Sequence, residues 1–432
     1  MKQAVVIGAG LVGCLQSLFL KQKGFKVKLV EARDDCRKIK KGQGRSINLV
    51  LTHRGIQAAK KLGIEKQLLN ITVPVSGREV HLEKETYFQP YGTRGEQNYS
   101  ISRLELNQTL LNLCEHEDIE LNFEQPAKFI NFETKTVDTD KMSFKYDLLF
   151  GCDGVNSEVR NSLMKISDGT DSISDLGVGY QEFLLPAGAN EEFLLKKDAL
   201  HIWPHGKHFV MALPNLDGSF TMTLYVHQTG IVSFDKLKTE KDYTEYFDKY
   251  YSDLPGLCPD FANQLVQNPV GNLGTLKSAP WHYKDEVCLV GDAAHAITPF
   301  FGQGMNLGFE DCALLNSLFF NEDKSIYDFE SFFNYQKPNA DAIAAMAEEN
   351  YIEMSDKVGD ESFILRKKID QELERRFPNK YHSRYSMVMY TCEPYVKCLQ
   401  LGVENQKLIE RIVRSTESFD QINWVKIESE IS

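Results

Sequence analysis

The chain has 432 residues, 42% of them hydrophobic and 25% charged, with a formal net charge of -12. That length exceeds one simple core and argues for two or three domains. An acidic surface repels phosphate backbones, so nucleic acid is not an expected partner.

The N-terminus enters an apolar run, Ala4-Val5-Val6-Ile7, that Gly8 and Gly10 interrupt too early for an export signal. The run suits a buried parallel strand. Gly8-Ala9-Gly10-Leu11-Val12-Gly13 then fits G-x-G-x-x-G. In that pattern the first glycine makes the tight turn, the second lets a pyrophosphate approach the backbone, and the third lets helix and strand pack closely. Leu15, Leu18, Phe19 and Leu20 follow at helical spacing up to Lys23-Gly24, and Val27 to Val30 forms a second strand ending at Glu31. An acid near that offset suits a free ribose diol, hence FAD or NAD rather than NADP as the resident nucleotide. Gly8, Gly10, Leu11, Val12, Gly13 and Glu31 are therefore the first cofactor-binding candidates.

A loop rich in Lys, Arg and Gly spans Cys36 to Arg45, and one helix is expected from about His53 to Leu69. Strands with turns are expected over Val80 to Ser102, an amphipathic helix over Leu104 to Cys114, and a buried strand at Asp147 to Phe150 running into Gly151-Cys152-Asp153-Gly154. From Val178 to Val226 alternating, aromatic-rich runs predict an antiparallel sheet with a hairpin turn at Leu216-Asp217-Gly218. Val287 to Val290 returns to the parallel-strand pattern and ends at Gly291-Asp292, and everything from Asn306 onward reads as helix.

Two later motifs separate FAD from NAD. Gly151-Cys152-Asp153-Gly154, and Gly291-Asp292-Ala293-Ala294-His295 with the following Pro299 to Asn306, each stand at a strand end. A flavin extends far beyond its pyrophosphate and needs such second and third elements. Asp292 is placed for ribityl hydroxyls, the alternative being an N-cap for the helix at Ala293. The helix beginning at Gly304, Met305 and Asn306 would aim its N-terminal dipole at the flavin edge that becomes negative on reduction. His295 reads as structural.

These motifs resemble the class A flavoprotein hydroxylases, and the finer pattern is similar to the kynurenine 3-monooxygenase family. The finer pattern consists of Gly44-Arg45-Ser46-Ile47-Asn48-Leu49, His201-Ile202-Trp203-Pro204, Asp217-Gly218-Ser219-Phe220-Thr221, Phe301-Gly302-Gln303-Gly304-Met305-Asn306 and Asn350-Tyr351-Ile352-Glu353-Met354. The resemblance implies one FAD, NADPH as a transient hydride donor, O2, and oxygen transfer from a flavin C4a-hydroperoxide to L-kynurenine. It places Arg78 and Tyr91 on the substrate carboxylate, Asn350 and Tyr385 as further polar ligands, and Arg103 on the flavin. Tyr225 departs from the pattern, standing where a Phe is common. Animal members carry a C-terminal membrane segment, whereas residues 406–432 here are charged and polar. A soluble, cytoplasmic protein is expected, with no membrane partner and with a homodimer as the candidate assembly.

The residues themselves suit such a substrate. Arg78 offers a planar fork to a carboxylate. Phe209, Met211, Leu213, Tyr225 and Phe300 would line an apolar slot for the ring, although ordinary sheet packing explains the alternation in the strand equally well. The amine of the substrate activates its own ring, so no catalytic acid–base residue is assigned. The nine cysteines lack C-x-x-C or Cys/His spacing, so reduced thiols and no metal are expected.

The fold class expected is α/β: a Rossmann-like, GR2-type FAD domain (1–70, 96–176 and 266–330), an antiparallel-sheet substrate domain (71–95 and 177–265) and a C-terminal helical segment (331–432) that caps the active site. The competing readings are a class A hydroxylase of another aromatic substrate, a non-oxygenating flavoprotein reductase, and an NAD-dependent dehydrogenase.

Overall fold

The computed structural model describes residues 2–39, 48–324, 326–353, 361–416 and 418–431. The chain divides into two compact units, each assembled from three segments. The first comprises Met1–Thr72, Ile101–Leu176 and Leu273–Ala344, the second Val73–Ser100, Gly177–Asn272 and Ala345–Ser432.

The first unit is built on a six-stranded sheet. Its parallel core runs Val287–Leu289, Leu148–Gly151, Gln3–Ile7, Lys26–Val30 and Glu120–Asn122, with His282–Tyr283 antiparallel at one edge. Ala4, Val5 and Val6 are wholly buried, as a parallel strand covered on both faces requires. The helix Leu11–Gln22 packs against Gly304–Ser317 and Arg103–His116. It stops at Gly24, whose positive φ closes the turn.

The second unit holds most of a larger sheet, in the order Val178–Leu185 (the end of a longer strand), Phe220–His227, His208–Pro214, Ala199–His205, Gly77–His81 and Thr86–Pro90. All neighbours are antiparallel except Gly77–His81 beside Ala199–His205. One face carries Val210, Ala212, Met222 and Leu224 into a core closed by Tyr243, Phe247, Phe261 and Leu265. Because strand side chains alternate, Phe209, Met211, Leu213 and Tyr225 share the opposite face. The C-terminal helices Glu361–Arg376 and Tyr395–Arg414 bury a separate cluster that includes Ile369, Leu373, Tyr381, Ile409 and Ile412.

The structure corrects two expectations. The helix expected from His53 to Leu69 is two helices, His53–Lys61 and Glu65–Leu69, because Gly63 adopts φ +73° between them. The stretch after Asn306 is not all helix: Phe320–Asn321 pairs with Ile326–Tyr327. The basic loop reaching Arg45 lies outside the described residues from 40 to 47, as does Met354 of the motif beginning at Asn350.

Candidate active site

In the first unit the glycine-rich turn is built by close approach. Gly8 sits at φ +100°, and a Cβ there would fall 2.4 Å from the Cys152 carbonyl oxygen. A Cβ on Gly13 would lie 1.8 Å from the Gly8 oxygen. At Gly10 a Cβ would meet nothing within 4 Å, so space stands open at the position where a pyrophosphate is expected. Gly10 is the N-cap of Leu11–Gln22 and supplies no side-chain cap. The first intrahelical bond is Cys14 N–H to the Gly10 carbonyl, so the helix itself leaves the N–H groups of Leu11, Val12 and Gly13 without partners. Glu31 holds the turn in place by accepting from Ala9 N–H (2.8 Å) and, on its other oxygen, from Arg33 N–H (3.0 Å).

The second helix has the same form. Gly304–Ser317 has no side-chain cap, and Leu307 N–H to the Gln303 carbonyl is an opening bond. Gly304, Met305 and Asn306 thus present the N–H groups that the helix leaves over. The Asn306 side chain is committed elsewhere. Its Oδ1 accepts from Thr52 N–H (3.0 Å) and its Nδ2 donates to the carbonyls of Val50 (2.8 Å) and Gly302 (2.9 Å), so only its backbone remains for a ligand.

Asp292 is exposed at the first position of Asp292–His295; the N-cap is Gly291, so the capping alternative is not realised. Arg103 is exposed at the start of Arg103–His116, behind its cap Ser102. Asp153, of the middle motif, turns inward and accepts from Ser157 Oγ (2.5 Å), Glu158 N–H (2.8 Å) and Val159 N–H (3.2 Å). Open space at Gly10, two uncapped helix starts and a carboxylate beneath the turn fit a dinucleotide-like cofactor such as FAD.

Two residues that sequence reading missed brace this unit. Arg160, almost fully buried, pairs with Asp171 (3.0 Å) and donates to the carbonyls of Ala293 (3.1 Å) and Val155 (2.7 Å). Asp311, fully buried, bonds His295 (2.6 Å), Gly291 N–H (3.1 Å) and Gln336 (2.9 Å). The signal available in the sequence was a charge set among apolar neighbours, such as Glu310-Asp311 between Phe309 and Cys312.

In the second unit Arg78, Tyr91, Asn350 and Tyr385 line one cavity of about 250 Å³, together with Phe363 and Ile364. Arg78 lies with its guanidinium 5.9 Å from the centre of the Tyr91 ring, and among the described residues it forms no ion pair. Burial opposes its charge, yet Tyr91, Tyr385 and Glu353 raise its pKa above the ordinary arginine value, so it stays cationic. Tyr91 stacks on Tyr385 with ring centres 5.4 Å apart, and the Tyr385 hydroxyl accepts from Asn98 (3.1 Å). Burial raises both tyrosine pKa values, so both hydroxyls keep their protons near neutrality.

Met211, Leu213 and Tyr225 are not among the described residues lining this cavity, and Phe300 belongs to the first unit. Tyr225 stacks on Phe209 at 4.7 Å. Among the described residues no cluster of three or more His, Cys, Asp or Glu could hold a metal, and no helix is long and apolar enough to cross a membrane.

Residues 1–321 match the family described as FAD binding domain, which defines the class: an FAD-binding protein. The kynurenine 3-monooxygenase of Dictyostelium discoideum is 38% identical over 97% of this chain and 95% of its own length; that of Myxococcus xanthus is 39% identical over 94% and 90%. The chain belongs to the kynurenine 3-monooxygenase family. Among solved structures, the tetrameric form of 2-methyl-3-hydroxypyridine-5-carboxylic acid oxygenase superposes with a TM-score of 0.68 at 18% identity, covering 84% of this chain and 94% of that one. Pseudomonas aeruginosa PqsL, in complex with 2-aminobenzoylacetate, gives 0.66 at 15% identity, covering 82% and 97%. These two likenesses concern the fold.

Proposed function

We propose that the chain is an FAD-dependent monooxygenase that uses NADPH and O2 to hydroxylate L-kynurenine to 3-hydroxy-L-kynurenine, in tryptophan catabolism. The observation that carries the reading is the meeting of Arg78, Tyr91, Asn350 and Tyr385 in one cavity of a chain from this family. Bound FAD supplies the redox and oxygen chemistry. The residues of the chain bind, orient and exclude water.

The Arg78 fork takes the amino-acid carboxylate, with the protonated hydroxyls of Tyr91 and Tyr385 and the amide of Asn350 adding neutral bonds. Met211, Leu213 and Tyr225 on one sheet face of the second unit, and separately Phe300 in the first, are the candidates for contact with the ring. The aniline nitrogen donates its lone pair to the adjacent ring carbon, so no ionised side chain need activate it. Holding that carbon in register and keeping water out are the remaining tasks of the protein, since water entry would release H2O2 instead of product.

For the cofactor, Gly8, Gly10, Leu11, Val12 and Gly13 would receive the pyrophosphate, Glu31 the ribose, and Asp292 the ribityl chain. Gly304, Met305 and Asn306 would serve the flavin ring through backbone N–H groups, with Arg103 beside it. The division into an FAD domain, a sheet domain for substrate and a helical cap belongs to the same proposal. So do a cytoplasmic location and a homodimer, the latter open to light scattering.

The test is NADPH oxidation with and without L-kynurenine. Stimulation together with 3-hydroxykynurenine formation is expected; oxidation that kynurenine leaves unchanged, with no hydroxylated product, defeats the assignment.

A further inference from the structure

Helix Gly304–Ser317 carries two adjacent acids that share Gln336 but otherwise point to different partners. Glu310 pairs with the fully buried Arg54 at 2.6 Å. Asp311 turns instead to the segment that carries Asp292. Its Oδ2 accepts from Gly291 N–H (3.1 Å) and from His295 Nε2 (2.6 Å), the residues that bracket Asp292–His295. Its Oδ1 accepts from Gln336 Nε2 (2.9 Å), so both oxygens are engaged. Gly291 holds φ +64°, a conformation that L side chains rarely adopt, and a Cβ there would press on Val12 at 3.0 Å. Two carbonyls of the short segment are also held, Ala293 O by Arg160 (3.1 Å) and Ala294 O by Ser278 Oγ (2.7 Å).

We infer that Asp311 is a positioning residue for the flavin cofactor: by gripping both ends of the Asp292 segment from within the helix that begins at Gly304, it fixes the ribityl carboxylate and the uncapped helix start relative to each other. One buried carboxylate thereby ties together two of the cofactor contacts proposed for this unit, Asp292 and the helix start at Gly304. Gly304 lies about two helical turns from Asp311 on the same rigid helix, so any slackening of the grip moves Asp292 but not the helix start. For His295, burial favours the neutral ring, but the neighbouring carboxylates, Asp311 foremost, outweigh it and raise the pKa above the ordinary histidine value.

The inference rests on the FAD-site reading above, and the experiment separates the two. FAD affinity of apoprotein is measured by flavin fluorescence, and apoprotein melting in parallel, for D311N, H295A, H295Q, E310Q and D292A. D311N and H295A should weaken FAD binding about tenfold or more, while H295Q, which keeps a donor toward Asp311, should stay within about threefold of wild type. E310Q, which loosens the same helix through Arg54, should lower melting yet leave FAD affinity within about threefold. Unchanged affinity in D311N overturns the inference, and so does an equal loss in E310Q, which would mean general loosening. Should D311N fail to fold, H295A decides on the same criteria. Unchanged affinity in D292A would instead overturn the reading of the ribityl contact.

Discussion

Arg78 is a cation with no ion-pair partner among the described residues, set in a cavity wall beside two tyrosines that keep their protons. Leaving such a group without a counter-ion costs free energy, and an incoming carboxylate offsets it. Hydrogen bonds involving a charged group contribute about 1.5–3 kcal/mol, so Arg78→Ala should raise the KM for L-kynurenine roughly tenfold or more, with a smaller change in kcat. Steady-state kinetics with a folded variant checks this, and an unchanged KM would remove Arg78 from the site. Arg78, Tyr91, Asn350 and Tyr385 were legible only as pieces of family-like motifs. They come from a strand, a loop and two helices far apart in the chain, and no periodicity joins them. Arg160 and Asp311 were not read at all: two of the groups Arg160 binds are backbone carbonyls, and the Asp311 partners His295, Gly291 and Gln336 lie 16 to 25 residues away with no spacing that joins them.

At the scale of elements, the two helices proposed to face the cofactor both start without a side-chain cap. Arg103–His116, Glu158–Ile166 and Glu240–Tyr250 each have a Ser or Thr cap that accepts from the helix, whereas Leu11–Gln22 and Gly304–Ser317 have none. At Leu11–Gln22 this was readable, since Gly10 stands where a capping side chain would otherwise be, whereas at Gly304–Ser317 the N-cap is Gln303. The two-residue strands at Phe320 and Tyr327 were not, being too short to show alternation. Gly63 broke a helix that the surrounding apolar spacing suggested would continue.

The sheet and its covering helix in the second unit also meet through a titratable group. His208 Nδ1 lies 2.7 Å from the Tyr246 hydroxyl and 2.8 Å from that of Tyr251, and burial lowers its pKa to about 4. In the unfolded chain the same ring titrates near about 6.5. Between those values the unfolded state binds the extra proton, so stability is full above the higher value and falls as pH drops toward the lower one. Melting temperature should decline from pH 6.5 to 4, and His208→Gln should flatten that decline; an identical slope in the variant would exclude His208 as its source.

The whole molecule is acidic, with a net charge of -12, and in the proposed reaction it must receive an anionic hydride donor. Raising ionic strength from about 10 mM to 150 mM shortens the screening length from about 30 Å to 8 Å, which weakens the general repulsion. kcat/KM for NADPH should therefore rise with salt over that range; a steep fall would show that a local basic patch governs docking. The existence of two or three domains followed from length alone, and the parallel sheet from its continuous apolar runs. The threading of the first unit from three segments (1–70, 96–176 and 266–330) was among the expectations, whereas a second unit that takes in Ala345–Ser432 was not, because which stretches become neighbours depends on contacts between distant residues. That threading bears on biosynthesis. Gln3–Ile7 waits for Leu148–Gly151, which in turn waits for Val287–Leu289, and the carboxylate that grips the Asp292 segment comes later still. A ribosome must deliver the chain through Gln336 before the nucleotide pocket has all its braces. Vitamin-derived cofactor then meets a pocket whose three segments must already be made, rather than acting as a template around which its early residues gather.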